Sequence, residues 1–170
     1  MSDVSKLVLL SAMNWLHLVA VVVWIGAMIS NVLVLLPSAR ESLEPPVMGR
    51  LMGSIMRRTR RLVYASITIL LVTGVIIMLL NKHYLGLLDL GNSWTVFLLM
   101  KHIFVAILII LGVYMFEVLA PKLGRIAAKG PSPVLARLQK LQVRLGMAGV
   151  ITALIVLLFT AVISAISALP

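Results

Sequence analysis

The chain contains no cysteine among its 170 residues. Disulfide bonds, iron–sulfur clusters and thiolate metal sites are therefore excluded, and no C-x-x-C-H motif is present to attach a haem covalently. Charged residues are also scarce, at 12% of the chain, and only five of them are acidic. Globular domains typically carry about 25% charged residues, so the composition argues against a soluble domain.

What the chain has in abundance is hydrophobic residues, which make up 62% of it and give a mean hydropathy of +1.15. A soluble domain of this length has too large a surface-to-volume ratio to bury that much apolar surface. The composition therefore predicts an integral membrane protein. The first apolar run lacks a basic n-region and a convincing small-residue cleavage site, so we expect it to be a retained span rather than a signal peptide.

Four segments are long and apolar enough to cross a bilayer, which takes about 20 helical residues. They cover about residues 7–36, 62–80, 94–119 and 145–169. Pro37 and Pro121 are expected to end the first and third spans. Because helices satisfy their own backbone hydrogen bonds in lipid, we predict a single all-α domain, a four-helix transmembrane bundle.

Basic residues orient the predicted bundle. The connectors after the first and third spans carry twelve of them, against Lys6 and Lys82 on the opposite side. Their positions are Arg40, Arg50, Arg57, Arg58, Arg60 and Arg61, then Lys122, Arg125, Lys129, Arg137, Lys140 and Arg144. The positive-inside rule places both connectors in the cytoplasm and both termini outside the cytoplasmic membrane of a prokaryote. Topology and anionic lipid thus explain the net charge of +10, and no nucleic-acid partner is needed.

Both basic connectors have helical periodicity. Apolar residues recur at helical spacing after Pro45-Pro46 and again after Pro131-Ser132-Pro133. Ser132 is a suitable N-cap for a helix whose first residue is Pro133. Spans two and four are therefore expected to begin as amphipathic extensions at the cytoplasmic interface.

The two halves of the chain resemble each other at an offset of about 84 residues. Within a residue or so, His17 aligns with His102, Pro37 with Pro121, and Arg40 with Arg125. The halves have the same orientation in the membrane, so a pseudo-two-fold axis would lie along the membrane normal. This arrangement would bring spans one and three face to face across the bundle.

Two histidines lie well inside these facing spans. His17 is about ten residues from the outer end of span one, and His102 is eight or nine from that of span three. At about 1.5 Å per residue, both lie roughly 12–15 Å below the outer helix ends. Ionisable residues within spans usually face a functional interior. We therefore predict a pair of axial ligands for one haem b between the two spans. The alternative is two unrelated neutral histidines that hydrogen-bond across helices.

Other polar residues are candidates for the same site. Lys101 either pairs with a haem propionate or snorkels to lipid headgroups. Asn14 and Trp24 share the His17 face of the helix, where Asn14 is a possible hydrogen-bond partner of a ligand and Trp24 a packing residue. His83, just past the outer end of span two, is expected to be a solvated interfacial residue, with a metal-entry or second-cofactor role as the alternative.

Copper is the competing chemistry. Thioether and imidazole groups suit Cu(I), and the outer half of the predicted bundle contains Met13, Met100, His17, His83 and His102. However, the ten methionines are spread over the chain like apolar filler, with no clustered M-x-x-M or H-x-H array.

Several segments resemble known membrane families. LHLVAVVVWIGAM resembles the signature that opens the copper-resistance D (CopD-like) family, and RRTRRLVYASITILLVTGVI its basic second helix. The lysine of LLMKHIFVAIL resembles one common in that family's third helix. HemJ-type protoporphyrinogen oxidases are similar in their four-helix core, first-span histidine and third-span basic residue. The resemblance implies a haem b held through His17, with Lys101 nearby, or copper handling across the membrane.

The chain also departs from these families. It lacks the acidic-asparagine segment near the fourth span of HemJ-type proteins, which argues against protoporphyrinogen oxidation, and it lacks the larger periplasmic copper domains of some CopD-like proteins. The predicted function is electron transfer or oxidoreduction through haem b, linked to a quinone or porphyrinogen. The alternatives are copper uptake and an accessory role in a larger membrane complex. The expected partners are the lipid bilayer, a quinone or other redox partner, and further copies or subunits in a membrane complex.

Overall fold

The structure, a computed structural model, describes residues 2–82, 84, 86 and 89–168, and of Pro45 the backbone alone. Four long helices account for nearly all of this part of the chain. They are α1 (Asp3–Ser42), α2 (Pro45–Leu79), α3 (Ser93–Ala127) and α4 (Pro133–Ala168). The all-α four-helix bundle predicted from the sequence is confirmed.

The outward faces of the helices are strongly apolar. Four of their apolar side chains are 60–69% exposed, namely Leu18 and Val22 in α1, Ile110 in α3 and Leu158 in α4. A soluble protein does not leave so much contiguous apolar surface in water. All four helices are long and apolar enough to cross a bilayer, and the chain is a multi-pass membrane protein.

Two helices continue through prolines that were expected to end them, so that expectation is wrong. Each changes to a π-helical segment just before its proline: Ser30–Leu35 in α1, ahead of Pro37, and Tyr114–Leu119 in α3, ahead of Pro121. α-Helical turns then resume over Leu36–Ser42 and Ala120–Ala127.

The wide π turns explain how the helices pass these prolines. A proline has no N–H, and in a regular helix its ring clashes with the carbonyl group four residues earlier. Here the N–H of Leu36 bonds to the carbonyl oxygen of Asn31, and that of Ala120 to the oxygen of Met115, five residues back in each case. Each π turn contains one extra residue, so the carbonyl groups that precede the proline are displaced relative to the proline ring. The two π segments begin 84 residues apart, at the offset of the internal repeat.

α2 and α4 begin well before the predicted spans. α2 starts at Pro45 and α4 at Pro133, where the N–H of Leu135 donates to Oγ of Ser132 at 3.2 Å. The predicted N-cap at Ser132 is therefore confirmed. We call the end of the bundle that carries the twelve connector charges its basic end; eleven of them lie on the helical extensions of α1–α4, and Lys129 lies in the turn after α3.

The helices pack as two pairs, α1 with α2 and α3 with α4. α1 also contacts α4, and α2 contacts the Ala120–Ala127 segment of α3 near the basic end, whereas α1 and α3 lie diagonally and approach less closely. The core consists of buried residues from all four helices, namely Trp24, Val63, Leu108, Ala153 and Val156. The two pairs correspond to the two halves of the internal repeat.

Candidate functional site

His17 lies at the interface of α1 and α2. Its half-buried imidazole packs towards α2, with Nδ1 2.8 Å from Oγ1 of Thr73. The neighbouring Gly74 packs against the ring, and a Cβ atom there would lie at an ordinary contact distance, 3.5 Å from Cε1 of His17. Thr73 itself is 3% exposed, so the imidazole is anchored to a buried hydroxyl group.

His102 is held differently, within its own helix. Its Nδ1 atom lies 2.7 Å from the carbonyl oxygen of Leu98, one turn earlier in α3. The side chain is exposed, so one ring nitrogen is held by a hydrogen bond while the rest of the imidazole is accessible from outside the helix.

In their neutral forms, the two imidazoles have the same tautomer, which their hydrogen bonds determine. The hydroxyl group of Thr73 donates its only proton to the carbonyl oxygen of Ile69 at 2.7 Å, so it accepts from Nδ1–H of His17. The carbonyl oxygen of Leu98 is an acceptor only, so His102 also carries its proton on Nδ1. In both residues Nε2 then presents a free lone pair. Within the described residues, neither Nε2 atom has a hydrogen-bond partner.

Three of the predicted residues lie within electrostatic range of one another. Lys101 and His102 lie within range of electrostatic interaction with the imidazole of His17, even though α1 and α3 are diagonal partners. Lys101 is half-buried and His102 exposed. We call His17, Thr73, Lys101 and His102 the histidine cluster.

The other predicted residues lie apart from this cluster. Asn14 is exposed, and its amide donates to the carbonyl oxygen of Leu10 at 2.9 Å. Trp24 is 7% exposed and belongs to the hydrophobic core. His83 lies outside the described residues. Of the methionines considered for copper, Met13 is half-buried and Met100 is 40% exposed. In the part of the chain that the structure describes, no three histidine, aspartate or glutamate side chains are grouped as a metal site.

Sequence reasoning missed a second polar cluster, which links α2 to α3. Oε1 of Glu117 accepts a hydrogen bond from the hydroxyl group of Tyr64 at 2.7 Å and lies 3.2 Å from Nε of Arg60. The guanidinium group of Arg60 also lies over the Tyr64 ring, 5.8 Å from its centroid. The available signal was Glu117, an acidic residue inside the third predicted span.

A small cavity lies between all four helices, beside both π-helical segments. It has a volume of about 90 Å³, and its walls include Trp24, Val63, Leu108 and Gly149. Its few polar groups include Asn31, whose Oδ1 atom is buried without a hydrogen-bond partner while its Nδ2 atom donates to the carbonyl oxygen of Ala27 at 2.7 Å. Asn31, in the π-helical segment, thus has a buried, unsatisfied acceptor beside this cavity.

Comparison with known proteins identifies a family but no function. No curated protein and no solved structure matches the chain. One family model matches residues 19–132, a region that begins two residues after His17 and includes Lys101, His102 and both π-helical segments. The chain therefore belongs to the family described as Domain of unknown function (DUF4149).

Proposed function

We propose that the protein is a membrane-embedded b-type haem protein that transfers electrons, with one haem held by His17 and His102 between α1 and α3. The observation that carries the proposal is the shared tautomer of the two histidines. Each imidazole has its Nδ1–H engaged, by Thr73 or by the Leu98 carbonyl group, and its Nε2 lone pair free. Metal-binding histidines characteristically have this arrangement, because the second hydrogen bond fixes the ring and raises its basicity.

The donor set fits a haem better than a bare metal ion. Two imidazoles suffice for a six-coordinate haem, because the porphyrin supplies the other four nitrogens. A copper ion would need further ligands, and the described residues contain no group of three histidine, aspartate or glutamate side chains. Bound between two imidazoles, haem b supplies a reversible one-electron change at its iron.

The roles of the chain's own residues follow from their positions. His17 and His102 would bind through Nε2, while Thr73 and the Leu98 carbonyl group hold the proton at Nδ1 and fix each ring. Lys101 has an ammonium group within electrostatic range of His17, and it would pair with a propionate.

The resemblance to CopD-like and HemJ-type proteins supports the same reading for His17 and Lys101. The proposal that His102 is the second ligand rests on its position and hydrogen bonding in this chain. Because the acidic-asparagine segment of HemJ-type proteins is missing, we propose electron transfer with a quinone or another redox partner rather than porphyrinogen oxidation. The site would lie in the outer half of a prokaryotic cytoplasmic membrane, with both termini outside.

The test is the absorption spectrum of the chain purified after expression with ample haem. The dithionite-reduced protein should show sharp α and Soret bands, and acid extraction should release non-covalent haem. His17→Ala and His102→Ala should each abolish the low-spin spectrum or convert it to a high-spin, five-coordinate form. His83→Ala is the matched histidine control and should leave the bands intact. A colourless protein that contains copper and no iron would refute the proposal and favour copper uptake.

A further inference from the structure

A groove opens at the basic end of the bundle, between the last turns of α1 and the first turns of α4. Its volume is about 600 Å³, and its walls are Arg40, Ala136, Gln139, Lys140, Val143 and Arg144. The residues from α4 recur at spacings of three and four, so they form one face of that helix. The volume lies within the range of about 300–1,000 Å³ that is typical of ligand sites.

The groove forms because α1 and α4 diverge from a very close contact. At Gly146 the helices touch so tightly that a Cβ atom there would lie 2.8 Å from Cγ2 of Val32. Towards the basic end, the Leu36–Ser42 segment of α1 approaches α4 less closely than the π-helical segment does. The tight contact at Gly146 therefore closes one end of the groove, its upper end, and the divergence of the two helices opens the end nearer the basic end of the bundle.

Three cationic side chains line the groove, and no acidic side chain does. Arg40 comes from α1, and Lys140 and Arg144 come from α4. In the described part of the chain, the only ion pair is between Arg60 and Glu117, so these three cations have no carboxylate partner. Three like charges around one groove repel each other unless an anion neutralises them. Arginine in particular binds phosphate oxygens through two parallel hydrogen bonds.

We propose that this groove binds the headgroup of an anionic phospholipid, with its phosphodiester group between Arg40, Lys140 and Arg144. Charge complementarity selects the phosphate, and two further features select a lipid. The groove opens at the basic end, where the apolar stretches of α1 and α4 give way to charged residues, so a bilayer around the apolar stretches would have its headgroups beside it. Its walls also include Ala136 and Val143 beside the cations, which suits the glycerol portion of a lipid. Basic pockets between membrane helices on the cytoplasmic side are typical sites for anionic lipids.

The experiment compares lipids and variants by thermal unfolding of the full chain in a neutral detergent. Mixed micelles containing phosphatidylglycerol should raise the unfolding midpoint of the wild-type chain by about 5 °C or more at saturation, and phosphatidylcholine should not. The triple variant R40Q/K140Q/R144Q should lose this shift. The control R58Q/R61Q/R137Q removes the same charge from exposed basic-end positions outside the groove, and it should keep the shift.

Four results would overturn the proposal. Equal shifts with phosphatidylcholine would remove the anionic selectivity, and equal losses in the two triple variants would indicate diffuse attraction to negative charge. The same shift with inorganic phosphate alone would indicate a free-anion site. Native mass spectrometry of the wild-type chain does not depend on how the variants fold. With both lipids competing, it should find one phosphatidylglycerol retained in preference to phosphatidylcholine, and no preference would also refute the site.

Discussion

Nδ1 of His17 and Oγ1 of Thr73, on neighbouring helices, lie 2.8 Å apart, and the same hydroxyl group donates to the Ile69 carbonyl group. Because the hydroxyl proton is already used, the imidazole has to be the donor in this contact. A buried threonine on α2 therefore determines which nitrogen of a histidine on α1 is free to bind a ligand. The geometry connects the α1–α2 packing to the chemistry of the proposed haem site.

Replacing Thr73 with valine removes the acceptor of Nδ1–H while nearly conserving side-chain volume. We expect Thr73→Val to weaken haem retention about 10–100-fold, the usual effect of losing a hydrogen bond to a ligating histidine. The measurement is the rate of haem transfer to an acceptor protein. Thr73→Ser keeps the hydroxyl group and should behave like the wild type. If the valine variant retains haem normally while His17→Ala is bleached, the hydrogen bond has no part in holding the ligand.

The charge of Lys101 should raise the midpoint potential of the haem. A positive charge favours the reduced iron, because that state carries one positive charge less. At about 10 Å and an effective dielectric constant of about 20, one unit charge contributes about 1.7 kcal/mol, or about 70 mV for one electron. Lys101→Ala should therefore lower the potential by tens of millivolts in a redox titration, with the bands kept. Lys101→Arg is the charge-conserving control, and an unchanged potential in Lys101→Ala would place the ammonium group away from the haem.

The fold could be predicted largely from the sequence, because long apolar runs leave few alternatives in a membrane. The continuation of the helices past Pro37 and Pro121 could not be predicted from the sequence. Proline disfavours a regular helix locally, but ending a helix in or near lipid leaves backbone groups without partners, and a π turn avoids that cost. The one-residue shift after Asn31 and Met115 is a compromise between these two effects, and periodicity does not reveal it.

The candidate site could be predicted only in part. His17, Lys101 and His102 are conspicuous because ionisable residues are rare in spans, and the structure brings them together. Thr73 was missed because a threonine in a span is common and usually bonds its own helix, which Thr73 also does. Its additional contact with His17 depends on how α1 and α2 are rotated against each other, which the sequence pattern of the two spans leaves open.

The orientation of the bundle can be tested with reporter fusions. Twelve connector charges against two predict that the basic end faces the cytoplasm. A reporter that is active only in the cytoplasm should work near Gly130, and one that is active only outside should work after Pro170 and near Asp89. A cytoplasmic reporter that works after Pro170 would reverse the orientation and move the histidine cluster to the inner half of the membrane.

The unsatisfied acceptor of Asn31 should reduce the stability of the bundle. Burying a polar atom without a partner costs about 1–3 kcal/mol, so Asn31→Leu should raise the free energy of unfolding by about 1 kcal/mol and the midpoint by about 2–4 °C. Asn14→Leu is the control, since that amide is exposed and bonded to Leu10, and it should change little. A lower midpoint for Asn31→Leu would show that Oδ1 accepts a hydrogen bond from a bound water or ligand in the cavity.

The contact between Gly146 and Val32 should be the most sensitive point of the α1–α4 packing. A Cβ atom at position 146 would lie 2.8 Å from Cγ2 of Val32, and a β-branched side chain has little freedom to move aside. We expect Gly146→Ala to cost about 1–3 kcal/mol, as overpacking of a tight interface usually does. The control is Gly112→Ala, where a Cβ atom would meet nothing within 4 Å.

Thermal unfolding of the four combinations of Val32→Ala and Gly146→Ala separates this contact from other effects. Removing the two methyl groups of Val32 makes room for the new Cβ atom, so the double variant should be more stable than the sum of the single changes predicts. The expected coupling is about 0.5–3 kcal/mol. Additive changes would mean that the helices separate at this point when Gly146 is replaced. The groove at the basic end would then lose its fixed upper end, and the phosphatidylglycerol shift should disappear in Gly146→Ala as well.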